Sequence, residues 1–211
     1  MPEIDYKPAN LDNKSVQRIL AAALTCWTRD GYHGASLKDI ADEAGVAKSL
    51  VHYHFASKEH LLLELQSEYS RKTAAQIRER LAEAGQSIES GLRALDLVWD
   101  AVVETRAQFP FSLEVWRASL SNAAIRRRLV EFDREILALF KEGVATTLGP
   151  FASRLRLPPD RIAEILQVAL GGFELRLFVL KDVAHLRRVY EDFKALALAG
   201  LLPDGERKGR T

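Results

Sequence analysis

The amino-acid sequence predicts an all-α fold, with a three-helix domain at the N-terminus and a larger helical domain after it. Apolar residues recur three and four positions apart in nearly every segment, which is the spacing of one helix face. Glycine, proline and small polar residues stand at the ends of these segments, where helices begin and end. No segment shows the two-residue alternation of a half-buried strand, and no internal repeat is visible.

The first helix is predicted over about 13–30. Its apolar face consists of residues at helical spacing, which are Val16, Ile19, Leu20, Ala23, Leu24 and Trp27. Asp30-Gly31 ends the helix, because glycine readily adopts the left-handed conformation that follows one. Cys26 lies within this helix and is predicted to be a small core residue, since no histidine or basic cluster adjoins it.

Two short helices and a long one follow. Ser36 is a good N-cap for the second helix, with Asp39 at the spacing of a capping box, and Gly45 ends it. The third helix is predicted over roughly 47–54, after a turn of only two residues. Ser57 then caps a long helix that is predicted to continue to about residue 84.

The composition changes after Gly85, where aromatic residues become frequent and the predicted helices lengthen. These helices are placed near 89–107, 111–121, 123–148, 159–181 and 183–201. The prediction therefore divides the chain into an N-terminal domain, a linking helix, a C-terminal domain and a mobile polar tail. Their ranges are 1–56, 57–84, 85–203 and 204–211.

Composition argues against several classes of protein. Of the 211 residues, 47% are hydrophobic and 28% are charged, a balance that argues against disorder. No apolar run approaches the roughly 20 residues that span a bilayer, and the first residues lack the pattern of a signal peptide. A single cysteine allows no intrachain disulfide and fits a reducing compartment, so a cytoplasmic location is predicted. The net charge of +1 weighs mildly against a nucleic-acid binder, so a phosphate-binding surface must come from locally placed charge.

The segment 36–62 has the pattern of a helix-turn-helix. Two short helices joined by a tight turn at a glycine can place the second helix in the major groove of DNA. An ordinary helical hairpin is the alternative, but it has no need for a polar and bulky outer face. That face carries Lys48, Ser49, His52 and Tyr53. Ser57-Lys58 adds free backbone N–H groups and a cation at a helix N-terminus, which is a natural phosphate site.

This stretch resembles the tetracycline-repressor (TetR) family of transcriptional regulators. The resemblance rests on residues 31–46 (GYHGASLKDIADEAGV) and 47–62 (AKSLVHYHFASKEHLL), and it is strong over about 13–62. Beyond that range, only the number and length of the helices agree. The resemblance implies a sequence-specific DNA-binding regulator with a small-molecule effector, and repression is the family default. The residues that it assigns to DNA contact are Ser36, Lys38, Lys48, Ser49, Leu50, His52, Tyr53, His54 and Lys58.

The chain departs from the family pattern at three positions. Ala47 stands where a capping serine is common, which costs about 1 kcal/mol of helix initiation. Leu50 replaces a common small or hydroxyl residue, and His52 replaces a common tyrosine. A leucine can contact a thymine methyl group and a histidine can donate to a base, so the operator is predicted to differ from those of relatives. For His54, packing within the protein and contact with DNA are equally open. The other histidines of this region, both predicted to be solvated, are His33 and His60.

A homodimer is predicted, because one small module binds DNA weakly whereas two copies read two half-sites roughly 34 Å apart. Two apolar stripes in the last two long helices are the predicted pairing surface, as the resemblance also implies. Burial of both stripes within one chain is the alternative. The residues assigned to pairing are Ile165, Ala169, Phe173, Leu177, Val189, Phe193 and Ala197.

Large side chains of the second domain are the candidates for an effector pocket, since small-molecule sites are mostly apolar with a few polar anchors. The predicted effector is hydrophobic or aromatic, with simple core packing as the alternative for any one residue. The candidates are Trp99, Glu104, Phe109, Phe111, Trp116, Phe140 and Phe173. Effector binding is expected to displace the linking helix and so to change the separation of the two recognition helices.

Other functions have weaker support. No Ser-His-Asp or Cys-His arrangement is readable, so neither a catalytic residue nor an enzymatic activity is predicted. No metal or cofactor is predicted either, because no His, Cys or carboxylate group has metal-ligand spacing and His52 and His54 lie about 200° apart on a helix. Two alternatives stay open. One is a helical small-molecule-binding protein or enzyme without DNA binding, and the other is a regulator that has lost DNA affinity and acts through protein contacts.

Overall fold

The computed structural model describes residues 9–82, 86–106 and 109–201, and within them the chain is helical without a strand. The nine α-helices of these residues are α1 (Lys14–Gly34), α2 (Leu37–Ala44), α3 (Lys48–His54), α4 (Lys58–Ala82), α5 (Ile88–Thr105), α6 (Phe109–Ser119), α7 (Ala123–Leu148), α8 (Pro159–Leu180) and α9 (Val183–Leu201). A short 3₁₀ helix, Gly149–Arg154, separates α7 from α8 and was not expected from the sequence. The predicted all-α fold is confirmed. The last residues of the predicted linking helix and the predicted tail over 204–211 lie outside the described residues.

The first helix begins where its sequence predicts but extends past the predicted end at Asp30-Gly31, as far as Gly34. The Asn13 side chain accepts hydrogen bonds from the backbone N–H groups of Ser15 and Val16, which caps the N-terminus of α1. Gly31 breaks the helical geometry near the other end with φ of 75° and ψ of 161°. A positive φ carries little steric penalty for glycine, so the chain turns there. Cys26 is fully buried, as predicted for a core residue.

Contacts divide the chain into two units that are not contiguous in sequence. Unit 1 contains the described residues within Met1–Thr73 and Ala107–Asp133, and unit 2 contains those within Ala74–Arg106 and Arg134–Thr211. Helix α6 and the first part of α7 thus belong with the N-terminal helices, a grouping that the predicted domain ranges do not have. The reason is burial, because Phe111, Val115 and Ile125 share one apolar core with residues of α1 to α4.

The core of unit 1 surrounds the indole of Trp27. Its ring stacks parallel to the ring of Phe111 at a centroid distance of 6.4 Å and tilts against Tyr32 at 5.2 Å. Phe111 also meets Tyr69 edge-on at 6.1 Å. Phe55, at the end of α3, is fully buried in the same core, so the short helices are anchored to α1 and α4 by apolar side chains.

The core of unit 2 is formed by α5, the second part of α7, α8 and α9. Its aromatic centre consists of Trp99, Phe173 and Tyr190, with Trp99 and Tyr190 stacked at a centroid distance of 4.5 Å. Phe173 meets both rings edge-on, at 5.5 and 5.8 Å, which is the geometry that ring quadrupoles favour. Aliphatic residues surround these rings.

Helices α4 and α7 each begin in unit 1 and end in unit 2. Helix α4 is unusual in burying polar side chains near its middle, including Glu64, Gln66 and Glu68. Glu68 is paired with Arg71 and Lys72 at 2.8 and 3.1 Å. Among the described residues, none of the helices combines the length and the apolar character that a bilayer crossing requires.

Candidate nucleic-acid interface and ligand cavity

The turn between α2 and α3 is built by local hydrogen bonds. The Ser36 hydroxyl accepts from the N–H of Asp39, and the Asp39 carboxylate accepts in return from the N–H of Ser36 at 2.7 Å. This is the predicted capping box, and the hydrogen bonds from Ser36 hold the pKa of Asp39 below its usual value. At the other end of α2, Gly45 adopts the left-handed conformation with φ of 62° and ψ of 40°. Its place there agrees with the sequence prediction.

Arg18 braces the same turn from α1. Its guanidinium Nη2 donates to the carbonyl oxygens of Ala44 and Gly45, at 2.6 and 3.2 Å. These carbonyls end α2 and have no intrahelical partner, and a cation at a helix C-terminus also interacts favourably with the helix dipole. The arginine therefore fixes the chain just before α3. Sequence reasoning missed this residue, because nothing in its local pattern indicates a partner 26 residues away.

Helix α3 has one buried side and one exposed side. Val51 and Phe55 are fully buried, and they fix the helix on the core of unit 1. Four of the residues predicted to contact DNA lie on the exposed side, with 81% of the Tyr53 residue surface open to solvent. These four are Lys48, Ser49, His52 and Tyr53. Ala47 provides no side-chain cap, as expected from the sequence.

The remaining predicted residues lie around this side. Leu50 and His54 are half-buried, and the His54 ring meets the rings of Tyr53 and Phe55 edge-on at 5.0 and 6.3 Å. Lys38 is exposed on α2. Ser36 is exposed as well, but its hydroxyl takes part in the capping box. These placements are compatible with DNA contact, and the contacts themselves stay predictions.

Lys58 lies at the start of α4, where its ammonium stands 4.5 Å from the centroid of the Tyr32 ring. Burial lowers the pKa of Lys58 from its usual value. The Tyr32 hydroxyl donates to the Glu59 carboxylate at 3.5 Å, and burial followed by the charge of Glu59 raises the pKa of the phenol. Tyr32 therefore stays protonated and offers its ring face to the lysine. Whether Lys58 also reaches a phosphate stays a prediction.

His60 is buried, so the prediction that it is solvated is wrong. Its Nδ1 accepts a hydrogen bond from the backbone N–H of Ala56 at 3.1 Å, while the Ser57 hydroxyl accepts from the backbone N–H of His60. These two bonds cap the start of α4 in a variant of the capping box, in which histidine stands where glutamate or glutamine is usual and accepts from the residue before the N-cap Ser57. The ring also meets Phe55 at 5.9 Å, and Nε2 lies 3.5 Å from Oε1 of the buried Glu64. His33 is exposed, as predicted.

Unit 2 contains a cavity with about 640 Å³ of empty space, part of which is open to solvent. Side chains of α5, α7, α8 and α9 line it, and almost all of them are aliphatic. Phe140 is the aromatic residue of this lining, and Thr147 has its only polar side chain among the described residues. The Thr147 hydroxyl donates to the carbonyl of Gly143 at 2.8 Å. Leu198, which is 40% exposed, is also part of the lining.

The residues that were predicted to bind an effector lie at different places in the structure, and only one of them lines the cavity. Phe140 lines the cavity, whereas Trp99 and Phe173 belong to the aromatic centre of unit 2 and Glu104 is exposed on α5. The other three lie in unit 1, where Phe109 and Phe111 are buried and Trp116 is 44% exposed. The aliphatic lining was missed, because in sequence it cannot be told from ordinary core residues.

Charged groups cover the aromatic centre of unit 2. The Arg187 guanidinium lies 5.2 Å from the centroid of the Tyr190 ring and 5.9 Å from that of Trp99, and the Lys194 ammonium lies 5.1 Å from that of Tyr190. Asp96 pairs with both cations, at 3.3 and 2.7 Å. The ring faces are thus occupied by cations of the chain itself.

Helix α8 exposes a second apolar row beside the one that packs in the core. Ile165, Val168, Gly172, Leu175 and Val179 follow one another at intervals of three and four residues, and Val168 is 76% exposed. Helix α9 adds the exposed Val189 and Leu196. Of the residues predicted to pair, Ile165 and Val189 lie on these rows. Phe173 and Leu177 are buried within unit 2, and the half-buried ones are Ala169, Phe193 and Ala197.

Within the described part of the chain, no three His, Cys, Asp or Glu side chains are grouped so that they could hold a metal ion. The arrangement offers an exposed helix with a polar surface in unit 1, an apolar cavity in unit 2 and an apolar outer face on α8 and α9. The first can enter a groove of nucleic acid, the second can enclose an apolar molecule and the third can pair with an apolar surface.

Comparison with known proteins gives matches over the helix-turn-helix and over the whole fold. The family described as "Bacterial regulatory proteins, tetR family" matches residues 19–65. The HTH-type transcriptional repressor AcnR of Corynebacterium diphtheriae is 26% identical over 83% of this chain and 87% of its own length. The HTH-type transcriptional regulator BetI of Agrobacterium fabrum is 29% identical over 98% of this chain and 96% of its own length. A transcriptional regulator from Saccharomonospora viridis, solved in complex with choline, is 25% identical with a TM-score of 0.73, over 90% of this chain and 98% of that one.

Proposed function

Because this chain belongs to the TetR family of bacterial regulatory proteins, we propose that it is a repressor that leaves a palindromic operator when a small molecule binds to unit 2. It is a DNA-binding transcriptional regulator and not an enzyme. Regulators of this family bind DNA and small molecules and act as dimers. A regulator that binds the bacterial chromosome works in the cytoplasm, which is the location that we propose.

The exposed side of α3 is the observation that carries the proposal. A seven-residue helix fixed by two buried anchors presents a lysine, a serine, a histidine and a tyrosine to solvent. Such side chains can donate to base edges and phosphates, and a single helix fits the major groove. The Arg18 brace and the capping box of α2 fix the turn from which α3 projects, and a fixed recognition helix lowers the entropy lost on binding.

We assign pairing of two copies to the outer face of α8 and α9. A row of apolar side chains with one exposed glycine lets two helices approach closely, and burying such a row removes apolar surface from water. This assignment retains Ile165 and Val189 from the sequence prediction and adds Val168, Leu175 and Leu196. Pairing through this face gives the two-fold symmetry that a palindromic operator requires.

The response to an effector follows from differential affinity. A ligand that binds one conformation of unit 2 more tightly shifts the protein toward it, and only that difference in affinity can change DNA binding. Helix α4 is the proposed transmitter, because it is continuous from its cap at Ser57 to Ala82 and carries residues of both units. Domain roles follow accordingly, with DNA binding in unit 1 and effector binding in unit 2.

The test measures binding to a fragment of the gene's own upstream region as salt concentration is raised. Replacing Lys48 with alanine removes one cation per subunit, so a dimer loses about two phosphate contacts and the slope of log K against log salt falls by about 1.8. If Lys48 instead contacts a base, specificity at that position relaxes, with a loss of about 1–3 kcal/mol per half-site. Lys141→Ala in unit 2, where the lysine pairs with Asp160, is the charge-matched control and should bind as wild type. Equal, weak binding of all three proteins to any DNA would refute the proposal.

A further inference from the structure

We propose that the cavity of unit 2 takes an uncharged aliphatic molecule, one with a hydrocarbon chain and no charged group at its buried end. The inference rests on the proposed function, since it names the chemical class of the effector. It goes further than a hydrophobic ligand in general, because it excludes cations such as the choline bound by the Saccharomonospora viridis regulator.

The lining of the cavity carries the first part of the argument. Carbon atoms of leucine, isoleucine, valine and alanine face the empty space, together with the backbone at Gly91 and Gly143. Within residues 9–82, 86–106 and 109–201, no lining residue has a charged side chain. A buried ionic group of a ligand would therefore lose its hydration without gaining an opposite charge, which is strongly unfavourable.

The aromatic centre carries the second part. Cationic ligands with methyl groups bind against the faces of tryptophan, tyrosine and phenylalanine. In unit 2 the faces of Trp99 and Tyr190 are covered by Arg187 and Lys194, and both of these cations pair with the carboxylate of Asp96. The rings of the aromatic centre, Trp99, Phe173 and Tyr190, do not line the cavity. Among the described residues, Phe140 is the one aromatic residue of its lining. Among the described lining residues, a cation thus meets the single ring of Phe140 and no carboxylate that could neutralise its charge.

Thr147 is the one residue with a polar side chain in the part of the lining that the structure describes. Its hydroxyl proton is engaged with the carbonyl of Gly143, so a lone pair of the oxygen is what remains for a ligand. A lone pair accepts a hydrogen bond, which fits the hydroxyl of an alcohol and does not fit a carboxylate. The preferred ligand combines an aliphatic chain with a neutral hydrogen-bond donor.

The experiment uses the full-length dimer and three probes with the same eight-carbon chain. Binding of octan-1-ol, octanoate and octyltrimethylammonium is measured by titration calorimetry, and hexan-1-ol gives the dependence on chain length. We expect octan-1-ol to bind, and about 15-fold more tightly than hexan-1-ol, because each buried methylene is worth about fourfold in affinity. The two charged probes should bind at least about tenfold more weakly.

Two substitutions on α9 locate the binding. Ala197 is half-buried and lines the cavity, whereas Ala195 is exposed on the same helix and does not. Ala197→Trp should fill the space and weaken octan-1-ol binding by more than about tenfold, while Ala195→Trp should leave it unchanged. Thr147→Val keeps the shape but removes the acceptor, so a loss of about fivefold is expected.

Release from the operator separates this inference from the proposed function. Binding of octan-1-ol that Ala197→Trp abolishes, without release of DNA, supports the ligand class and contradicts effector control through this cavity. If octan-1-ol binds no more tightly than hexan-1-ol, or if octyltrimethylammonium or octanoate binds as tightly as octan-1-ol, the ligand class is overturned. When the protein still binds its operator in that case, the DNA-binding function is left intact.

Discussion

Replacement of Phe111 by alanine tests which of two roles its ring has. The sequence suggested Phe111 as a ligand contact, whereas the structure buries its ring in the core of unit 1. The ring is 1% exposed, stacks on Trp27 and meets Tyr69 edge-on. Truncation of a fully buried phenylalanine removes its transfer free energy and leaves a cavity, with a typical cost of about 3–5 kcal/mol. We expect a loss of about 4 kcal/mol from the free energy of unfolding.

Urea unfolding followed by circular dichroism provides the measurement. With a slope of about 2 kcal/mol per molar urea, a loss of this size lowers the midpoint by about 2 M. Trp116→Ala is the control on the same helix, because that side chain is 44% exposed and its removal should cost about 1 kcal/mol or less. Binding of octan-1-ol to folded Phe111→Ala should be unchanged, since the cavity lies in unit 2.

The reasoning fails if Phe111→Ala unfolds within about 0.5 M of the wild-type midpoint. If the same variant also binds octan-1-ol more than about tenfold more weakly, then Phe111 is a ligand contact, and the burial of its ring against Trp27 does not describe its role.

Three further predictions concern the helix-turn-helix and the pairing face. Arg18→Ala removes the hydrogen bonds to the carbonyls of Ala44 and Gly45, so it should cost about 1 kcal/mol of stability and weaken operator binding; wild-type affinity in a gel-shift titration would contradict this. The pKa of Asp39 is lowered from 3.8 by hydrogen bonds from Ser36, so the stabilisation by its carboxylate is complete above that value and is lost as pH falls through the lower folded-state pKa. Asp39→Asn should therefore remove this part of the acid dependence of the urea midpoint, and identical pH profiles of variant and wild type would count against it. Val168→Asp places a charge within the proposed pairing face, so light scattering should detect monomers, and a dimer of undiminished stability would exclude that face.

The sequence alone predicts the local features of the fold well. Both ends of α2 follow from Ser36, Asp39 and Gly45 at capping positions, whose effects act through hydrogen bonds over a few residues. The polar side of α3 could be assigned because Val51 and Phe55 mark the opposite, buried side by their spacing. The resemblance to TetR regulators lies in the same segment, which the family match over residues 19–65 covers.

Contacts between distant parts of the chain could not be predicted in this way. His60 is a local exception: its ring accepts a hydrogen bond from the N–H of Ala56 and meets the ring of Phe55, but histidine is not the residue type that marks such a cap in a sequence. Arg18 binds carbonyl oxygens 26 and 27 residues further along the chain. On α8, the buried Phe173 and the exposed Val168 belong to two apolar rows, and their spacing alone does not tell which row faces the core.

The sequence by itself thus determined the helices, their caps and the DNA-binding element, because helix spacing and capping depend on neighbours within one or two turns. Only the tertiary structure decided that α6 packs with the N-terminal helices, that an aliphatic cavity opens in unit 2 and that the aromatic rings beside it carry their own cations. Each of these features depends on the distance between side chains far apart in the chain. Apolar burial is non-directional, so any compact arrangement that covers the same residues satisfies the sequence pattern equally well.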